Sequence, residues 1–258
     1  MSAGPIAGYM LVEAGGARAV AVQAAAPWLE KTLRDHGTLR DWAVPAATAV
    51  LVGGREGVRV VAAPVRGPDS ATQWACRRYL RGGWAAALLG DRYLRSFGCR
   101  PMAELLASHQ ARARGVRTPA VVAAAWYPRG VFYRADLVTE LVQGTHSLAE
   151  ALFAPGAESA RGEPLAAAGR LVRSLEEAAV EHADLNAGNV LVSSADPQAP
   201  AWVVDLDRCR VHGSGTQAPG LAMRRRLERS LVKLGGRRGR PLTAADWEAL
   251  RDGYAGRS

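Results

Sequence analysis

The sequence predicts an α+β fold in which a strand-rich N-terminal part precedes a large, mainly helical part. Its 258 residues suffice for one large domain or two closely associated lobes. Short apolar and β-branched runs separated by Gly- and Pro-rich turns dominate up to residue 140. Longer runs with apolar residues at helical spacing follow. We therefore expect an N-terminal extension with a small lobe over residues 1–143 and a large lobe over 144–258.

The N-terminal half begins with weak signals and continues with a strand pair. Residues 19–24 fit a strand and 27–33 a short helical turn, which we assign to an extension packed on the small lobe. Strands are predicted at 48–52 and 58–62, on either side of a glycine-rich turn that holds Gly53, Gly54 and Gly57. Such turns cover nucleotide phosphates, because backbone N–H groups reach oxygen atoms without a Cβ in the way. A plain hairpin turn explains these glycines equally well.

The next strand and helix carry candidate charged residues. Residues 72–79 predict a strand with two adjacent cations, Arg77 and Arg78, whose side chains alternation sends to opposite faces. Residues 101–113 predict a helix opened by Pro101, with Glu104 in its first turn. Glu104 is either the partner of a strand cation or an acid favoured by the helix dipole.

The remaining elements lead to two short strands and a basic tail. Strands are predicted at 121–127 and 131–140, and a long amphipathic helix at 164–180. Two apolar strands follow at 190–192 and 201–204. The tail predicts a basic helix over 221–234, ended by Gly235-Gly236, and a last short helix from Thr243.

Three polar residues lie around the two short strands. Asp184 stands five residues before Asn189, which leads into the first strand, and Asp205 follows the second strand. Phosphoryl transfer from a nucleotide needs such groups: a carboxylate to accept the proton of the attacking hydroxyl and hard oxygen ligands for Mg²⁺. The pattern therefore predicts a kinase-like site with Asp184 as catalytic residue and Asn189 and Asp205 as metal ligands. Because of this offset, His182 fits a structural anchor better than a base.

The sequence H-A-D-L-N-A-G-N from His182, followed by D-L-D from Asp205, is similar to the catalytic and metal-binding motifs of protein kinases. It more closely resembles the lipopolysaccharide kinase family, as do G-V-F-Y-R-A-D-L-V-T-E at 130–140 and R-L-x-R-S-L-x-K-L at 226–234. The resemblance covers about residues 50–254. It implies a bilobal protein-kinase-like fold with a small β-rich N-lobe and a mainly helical C-lobe.

This resemblance also implies a reaction and further site residues. The most similar members transfer the γ-phosphoryl group of ATP, with Mg²⁺, to a hydroxyl of 3-deoxy-D-manno-octulosonic acid (Kdo) in the lipopolysaccharide inner core. The implied nucleotide-binding residues are Arg77 paired to Glu104, with Arg78 as competitor, and backbone groups near Glu140 and Val142 at the adenine edge. Asp207 is implied as a ligand of a second metal or of the sugar.

The charge of the chain bears on its partners. Lys and Arg number 33 against 24 Asp and Glu, a net charge of +9. Such a chain favours nucleic acid, nucleotide phosphates or an anionic membrane surface, although a GC-rich genome would raise Ala, Gly and Arg together. The cations of the tail helix are either a solvated face or a contact with anionic lipid headgroups. No apolar run is long enough to cross a membrane. With the lipid-linked acceptor that the resemblance implies, we expect a peripheral protein on the cytoplasmic side of the bacterial inner membrane.

Rival functions remain open on the sequence alone. A heptose kinase of the same family would share every motif named above. An aminoglycoside or small-metabolite phosphotransferase would share the loop of Asp184 and Asn189 but would take a soluble acceptor. A non-catalytic nucleic-acid-binding protein would use the arginine clusters and lose affinity steeply with salt. No nucleic-acid module is recognisable, so we expect no nucleic-acid partner.

Overall fold

The computed structural model describes residues 6–51, 57–80, 93–94, 99–196, 198–213, 215–216 and 218–256. The chain divides into two compact units. The first comprises Met1–His109 and Ala120–Val142, and the second Gln110–Pro119 and Gln143–Ser258.

The first unit is built on one antiparallel sheet. Its strand order is β1-β2-β7-β8-β5-β4-β3, and β6 pairs with β8. The strands are β1 (Tyr9–Ala14), β2 (Ala17–Val22), β3 (Ala47–Leu51), β4 (Val58–Ala62), β5 (Gln73–Arg78), β6 (Tyr93–Leu94), β7 (Val121–Arg129) and β8 (Phe132–Glu140). β7 and β8 form the centre, and most of their residues are buried.

The two faces of this sheet pack against different helices. On one face lie α1 (Ala26–His36) and α2 (Leu39–Ala46), and Leu29, Leu33 and Trp74 form a core there. On the other face lies the start of α3 (Arg100–Ala113), with Leu105 packed against Tyr79 and Leu137. Because neighbouring residues of a strand point to opposite faces, β5 supplies side chains to both cores.

The second unit consists of helices with two small sheets. The helices are α4 (Leu148–Phe153), α5 (Gly162–Glu177), α6 (Gly220–Arg238) and α7 (Ala244–Ala255). One sheet has the order β12-β11-β9 and the other pairs β10 with β13. These strands are β9 (Thr145–Ser147), β10 (Val180–His182), β11 (Val190–Ser193), β12 (Trp202–Val203) and β13 (Cys209–Val211). The core is made by fully buried leucines of the helices: Leu152, Leu165, Leu175, Leu227, Leu231 and Leu250.

The predicted α+β class is confirmed, with a β-rich N-terminal part and a mainly helical C-terminal part. Two local predictions need correction. The N-terminal extension is part of the sheet, because the β1–β2 hairpin pairs with β7 from Arg18 to Ala21. The basic helix does not end at Gly235-Gly236 but continues to Arg238, and its C-cap is Gly239 with φ of 62°.

The reason for this longer helix is a close backbone contact. A Cβ on Gly235 would lie 3.1 Å from the carbonyl oxygen of Arg240 and 3.3 Å from Cα of Pro241. A side chain at Gly235 would be crowded by the returning chain, which packs against the helix there, and this glycine does not end the helix. The left-handed conformation that ends many helices falls instead on Gly239.

Candidate active site

The loop that carries Asp184 connects β10 to β11 within the second unit. β10 leads out of α5 through Ala179, which has a φ of 55°, and pairs with β13 so that His182 lies opposite Cys209. Asp184 is exposed. Among the residues that the structure describes, no group hydrogen-bonds or ion-pairs with its carboxylate. The carboxylate is therefore available to a hydroxyl of a bound acceptor.

A set of short-range hydrogen bonds holds the loop. The backbone carbonyl of Asp184 accepts from the side-chain amides of Asn186 at 3.0 Å and of Asn189 at 3.1 Å. The Asn186 side-chain oxygen in turn accepts the N–H of Gly188 at 2.9 Å. Each amide side chain satisfies backbone groups that no helix or strand would satisfy here. The loop is therefore held in one conformation by its own asparagines.

His182 is an anchor of this loop. It is fully buried, and its Nδ1 accepts the Asp184 N–H at 3.3 Å. Nε2 must then carry the proton and donates to the Val204 carbonyl at 3.2 Å. The ring thus connects the residue that precedes Asp205 to the backbone of Asp184.

The candidate metal ligands lie at neighbouring strand ends. Asn189 precedes β11, and its carbonyl accepts the N–H of Val204 at 3.0 Å, so Asp205 follows directly after the residue paired with Asn189. Asp205 has a left-handed backbone, with φ of 65° and ψ of 60°. Asp207 lies in the short 3-10 helix that follows and is partly buried.

These residues fit Mg²⁺ by their chemistry. The Asn189 amide nitrogen is held by the Asp184 carbonyl, which leaves its side-chain oxygen as the ligand atom. Mg²⁺ needs few protein oxygens, because it keeps several waters and binds substrate phosphates. Within the described ranges, no group of three or more His, Cys, Asp and Glu residues suited to a metal occurs.

In the first unit, Arg77 contacts Glu104. The Arg77 guanidinium donates to both carboxylate oxygens of Glu104 and lies 4.7 Å from the centroid of the Tyr79 ring. The Tyr79 hydroxyl also donates to Glu104. Glu104 is 4% exposed, whereas the Arg77 side chain is 24% exposed. A buried carboxylate and a tyrosine thus hold a partly exposed guanidinium in place.

Arg78 points to the opposite face. Its Nε lies 3.4 Å from Oδ1 of Asp136, which is fully buried. Oδ2 of Asp136 accepts from the Tyr127 hydroxyl at 2.9 Å and from the Arg40 N–H at 3.0 Å. Burial raises the pKa of Asp136 despite these partners. Arg78 is therefore part of the contact between the sheet and the start of α2, whereas Arg77 is on the Glu104 side.

The predicted adenine-edge residues lie where the chain passes from one unit to the other. The N–H of Glu140 donates to the Ala120 carbonyl at 2.9 Å, so it is engaged within the first unit. The Glu140 carboxylate accepts from the N–H groups of Asp69 at 2.8 Å and Ala71 at 3.2 Å. Burial raises the pKa of Glu140. Val142, the last residue of the first unit, is partly buried.

Only one of the three candidate glycines can be placed. Gly53 and Gly54 lie outside the described residues. Gly57 has a φ of 72°, and a Cβ there would lie 2.7 Å from Val50 Cγ1. Any other residue at this position would clash with the neighbouring strand, so the glycine is required by the β3–β4 hairpin itself.

Two residues that hold candidate site residues in place, Tyr79 and Asn186, are not predicted from the sequence. Tyr79 looks like an ordinary aromatic strand residue, and only its position two residues after Arg77 signals that both side chains share a face. Asn186 lies inside the recognised motif, but nothing in the sequence shows that its amide bridges Asp184 and Gly188. Such contacts depend on loop conformation and have no periodic signature.

One protein family and several known proteins are similar in sequence to this chain. Residues 43–254 match the lipopolysaccharide kinase (Kdo/WaaP) family. A 3-deoxy-D-manno-octulosonic acid kinase of Xanthomonas euvesicatoria pv. vesicatoria (strain 85-10) is 35% identical, over 81% of this chain and 79% of the relative. The enzyme of the same name from Stenotrophomonas maltophilia (strain K279a) is 35% identical over 69% of each chain.

A solved structure of WaaP in complex with acyl carrier protein superposes with a TM-score of 0.48 and 20% identity, covering 86% of this chain and 84% of that one. In the described part of the chain, no helix has the length and apolar character needed to cross a membrane. By the extent of the family match and of the two related sequences, the chain belongs to the lipopolysaccharide kinase (Kdo/WaaP) family and is an ATP-dependent phosphotransferase that acts on a hydroxyl group.

Proposed function

We propose that this enzyme transfers the γ-phosphoryl group of ATP to a hydroxyl of Kdo in the lipopolysaccharide inner core. The observation that carries the proposal is the loop between β10 and β11, where the Asp184 carboxylate is free of partners in the described structure and Asn189 lies beside the end of β12. The relatives that match over most of the chain are named as Kdo kinases. Membership of a kinase family favours an enzyme over a nucleic-acid-binding protein.

In this proposal Asp184 orients the acceptor hydroxyl and takes its proton. A carboxylate does this best when nothing else binds it and when its backbone is fixed, and the Asn186 and Asn189 amides fix the backbone. Mg²⁺, held through Asn189 and Asp205, supplies charge neutralisation at the phosphates when bound. Asp207 is assigned either to a second metal or to the sugar.

Arg77 is the proposed phosphate-binding cation of the first unit. Glu104 neutralises its guanidinium, and the Arg77 side chain is 24% exposed, so an anion can approach it from the solvent. Arg78 is less suited, because its side chain is 11% exposed and its partner Asp136 is fully buried. We assign the phosphate contacts of the glycine-rich turn to Gly53, Gly54 and Gly57, and the adenine contacts to backbone groups near Glu140 and Val142. The Glu140 N–H is not one of these adenine contacts, because it already donates to the Ala120 carbonyl.

The acceptor that we propose is a lipid-linked anionic sugar, the Kdo-bearing lipid A precursor. An enzyme for such an acceptor needs access to the cytoplasmic surface of the inner membrane, and we propose that it binds there peripherally. α6 supports this, since it carries seven cationic residues and one acidic residue. A shallow depression on it is lined by Pro219, Leu221, Ala222, Arg225, Arg226 and Arg229. Anionic headgroups and an apolar lipid edge both fit such a surface.

The acceptor assignment is tested by ATP consumption with Mg²⁺ and three acceptor conditions: Kdo-bearing lipid A precursor, a heptose-bearing core and no acceptor. We expect turnover with the first alone, and none with the Asp184→Asn variant. Turnover with the heptose-bearing core alone would replace the proposal by a heptose kinase. If ATP is consumed with neither lipid but with an aminoglycoside or another soluble alcohol, the lipopolysaccharide acceptor is wrong while the phosphotransferase class stands.

A further inference from the structure

Helix α6 contacts the backbone of the Asp184 loop through two side chains. The sulfur of Met223 accepts the His182 N–H at 3.2 Å, and the hydroxyl oxygen of Ser230 accepts the Ala187 N–H at 3.2 Å. Met223 and Ser230 are seven residues apart, so they lie two turns from each other on the same side of the helix. One helix thus supports the loop at its stem and at its middle.

The Ser230 contact lies at a position that matters for the loop. Ala187 is fully buried and is located between Asp184 and Asn189. Its carbonyl accepts the Ala149 N–H at 3.0 Å, so both of its peptide groups are directed by neighbouring elements. The Ala187 side chain is a methyl group, which forms no hydrogen bond and therefore cannot fix the loop conformation. The N–H of a buried residue needs a partner, and the Ser230 hydroxyl provides it.

The residue type at 230 is informative because of its surroundings. Leu227 and Leu231, on the same side of α6, are completely buried. An apolar residue at 230 would add to this core, whereas serine buries little apolar area and is not a strong helix former. The hydroxyl therefore has a purpose other than packing, and the Ala187 N–H is the group it binds.

We infer that Ser230 is a positioning residue of the phosphoryl-transfer reaction: its hydroxyl sets the backbone at Ala187 and thereby the separation of Asp184 from Asn189. The inference rests on the proposed roles of these two residues. It predicts that loss of the hydroxyl slows the chemical step while nucleotide binding and the fold remain intact. A residue that only stabilises the unit would affect thermal stability first.

The test compares three variants: Ser230→Ala, Ser230→Thr, and the matched control Ser174→Ala, which removes a partly buried serine of α5. With Kdo-bearing lipid A precursor as acceptor, we expect Ser230→Ala to lower kcat about tenfold, as typical for a residue that orients an active-site group. KM for ATP stays at the wild-type value, and the thermal midpoint falls by only a few degrees, roughly the effect of one unpaired buried N–H. Ser230→Thr, which keeps a hydroxyl, retains most of the rate, and Ser174→Ala is unchanged.

Amide hydrogen exchange gives a readout that needs no substrate. In the wild type, we expect the Ala187 amide to exchange slowly. In Ser230→Ala, we expect faster exchange in a peptide that covers residues 183–189 and unchanged exchange in α5 and α6. A general rise in exchange, a fall in thermal midpoint with unchanged kcat, or a fast wild-type Ala187 amide would overturn the inference. If the assigned acceptor is wrong, turnover is absent in all variants while the local exchange result is unaffected, so the two failures are distinguishable.

Discussion

At the scale of single residues, Asp205 combines a proposed metal-binding role with an unusual backbone. Its φ of 65° lies in the left-handed region, which costs most L-residues about 1–2 kcal/mol. Asp and Asn tolerate this region better, because their short polar side chains bind local backbone groups. The conformation turns the chain from β12 into the 3-10 helix at Leu206. The proposed metal ligand is therefore also a residue type that tolerates a left-handed backbone.

Substitutions of Asp205 can distinguish the proposed metal-binding role of its carboxylate from the requirement for a left-handed backbone. Asp205→Asn should keep the fold, since Asn accepts the same φ, but should lose most activity because the carboxylate charge at the metal is gone. Asp205→Gly should be inactive and equally well folded, whereas Asp205→Ala should be inactive and less stable by about 1 kcal/mol. Turnover, the Mg²⁺ dependence of ATP binding and denaturant midpoints measure the three effects. Wild-type turnover in Asp205→Asn would contradict the metal assignment.

How far single residues can be predicted from the sequence depends on what defines them. The spacing of Asp184, Asn189 and Asp205 follows from strand ends, which periodicity reveals. Alternation sends Arg77 and Arg78 to opposite faces, but the sequence does not say which face has the better partner. That answer requires the buried carboxylates of Glu104 and Asp136, which are 27 and 58 residues away.

At the scale of elements, α5 and α7 approach each other through glycines. A Cβ on Gly253 of α7 would lie 2.1 Å from the carbonyl oxygen of Ala166, and a Cβ on Gly169 of α5 would lie 2.3 Å from that of Leu250. The two backbones are thus in direct contact. Because α5 leads into β10, this crossing places the stem of the Asp184 loop.

The corresponding prediction concerns Gly253→Ala. Its methyl group has to displace the α5 backbone, and we expect the free energy of unfolding to fall by about 1–3 kcal/mol, as for other overpacked sites. The control is Gly236→Ala in α6, where no atom lies within 4 Å of the new methyl. That substitution should raise stability by about 0.5–1 kcal/mol, because Ala is the better helix former. Urea denaturation of both variants and the wild type measures these changes. If Gly253→Ala is as stable as the wild type, the α5 backbone accommodates the methyl group at no cost and the prediction is wrong.

The glycines near the end of α6 show why the ends of helices are harder to predict from the sequence than the helices themselves. Gly235 and Gly236 lie in the last turns of α6 and Gly239 directly follows it, and each of them could end a helix. What distinguishes them is tertiary: Gly235 faces the returning chain at Arg240, and Gly239 takes the left-handed cap. Periodicity was sufficient for the existence of α3, α5 and α6, while their limits depend on packing.

At the scale of the whole molecule, the excess of cations is concentrated on one element. The net charge is +9, and α6 presents exposed Arg225, Arg229 and Lys233. Two apolar side chains of the same helix, Leu221 and Val232, are 46% and 62% exposed. Exposed cations beside exposed apolar side chains suit an anionic lipid surface, where headgroups attract the cations and acyl chains cover the apolar groups.

Vesicle binding tests this surface. The triple variant Arg225→Gln, Arg229→Gln, Lys233→Gln should lose about 3 kcal/mol of binding to vesicles containing phosphatidylglycerol, a partition coefficient lower by about a hundredfold, since each cation near the surface contributes about 1 kcal/mol. The matched control, Lys31→Gln with Arg34→Gln, removes exposed cations of α1 and should change little. Cosedimentation at low and high salt is the measurement. Equal sedimentation of the triple variant and the wild type would reject α6 as the contact surface.

The order of elements along the chain was predictable, whereas the pairing of the N-terminal hairpin was not. β1 and β2 pair with each other in a local hairpin, but β2 also pairs with β7, which lies far along the sequence. Long-range pairing leaves no local pattern, so the sequence predicts only an extension packed on the small lobe, whereas the structure places this hairpin in the sheet.

That pairing of β2 with β7 has a consequence for how the protein is made. Arg18 lies opposite Trp126, so more than a hundred residues must leave the ribosome before β2 finds its partner. At about 5–20 residues per second, the wait lasts about 5–20 seconds. During this time the exposed side chains of Met10 and Leu11 belong to a hairpin without its sheet. The β1–β2 hairpin of this kinase is therefore synthesised well before β7 and joins its sheet only when β7 has emerged.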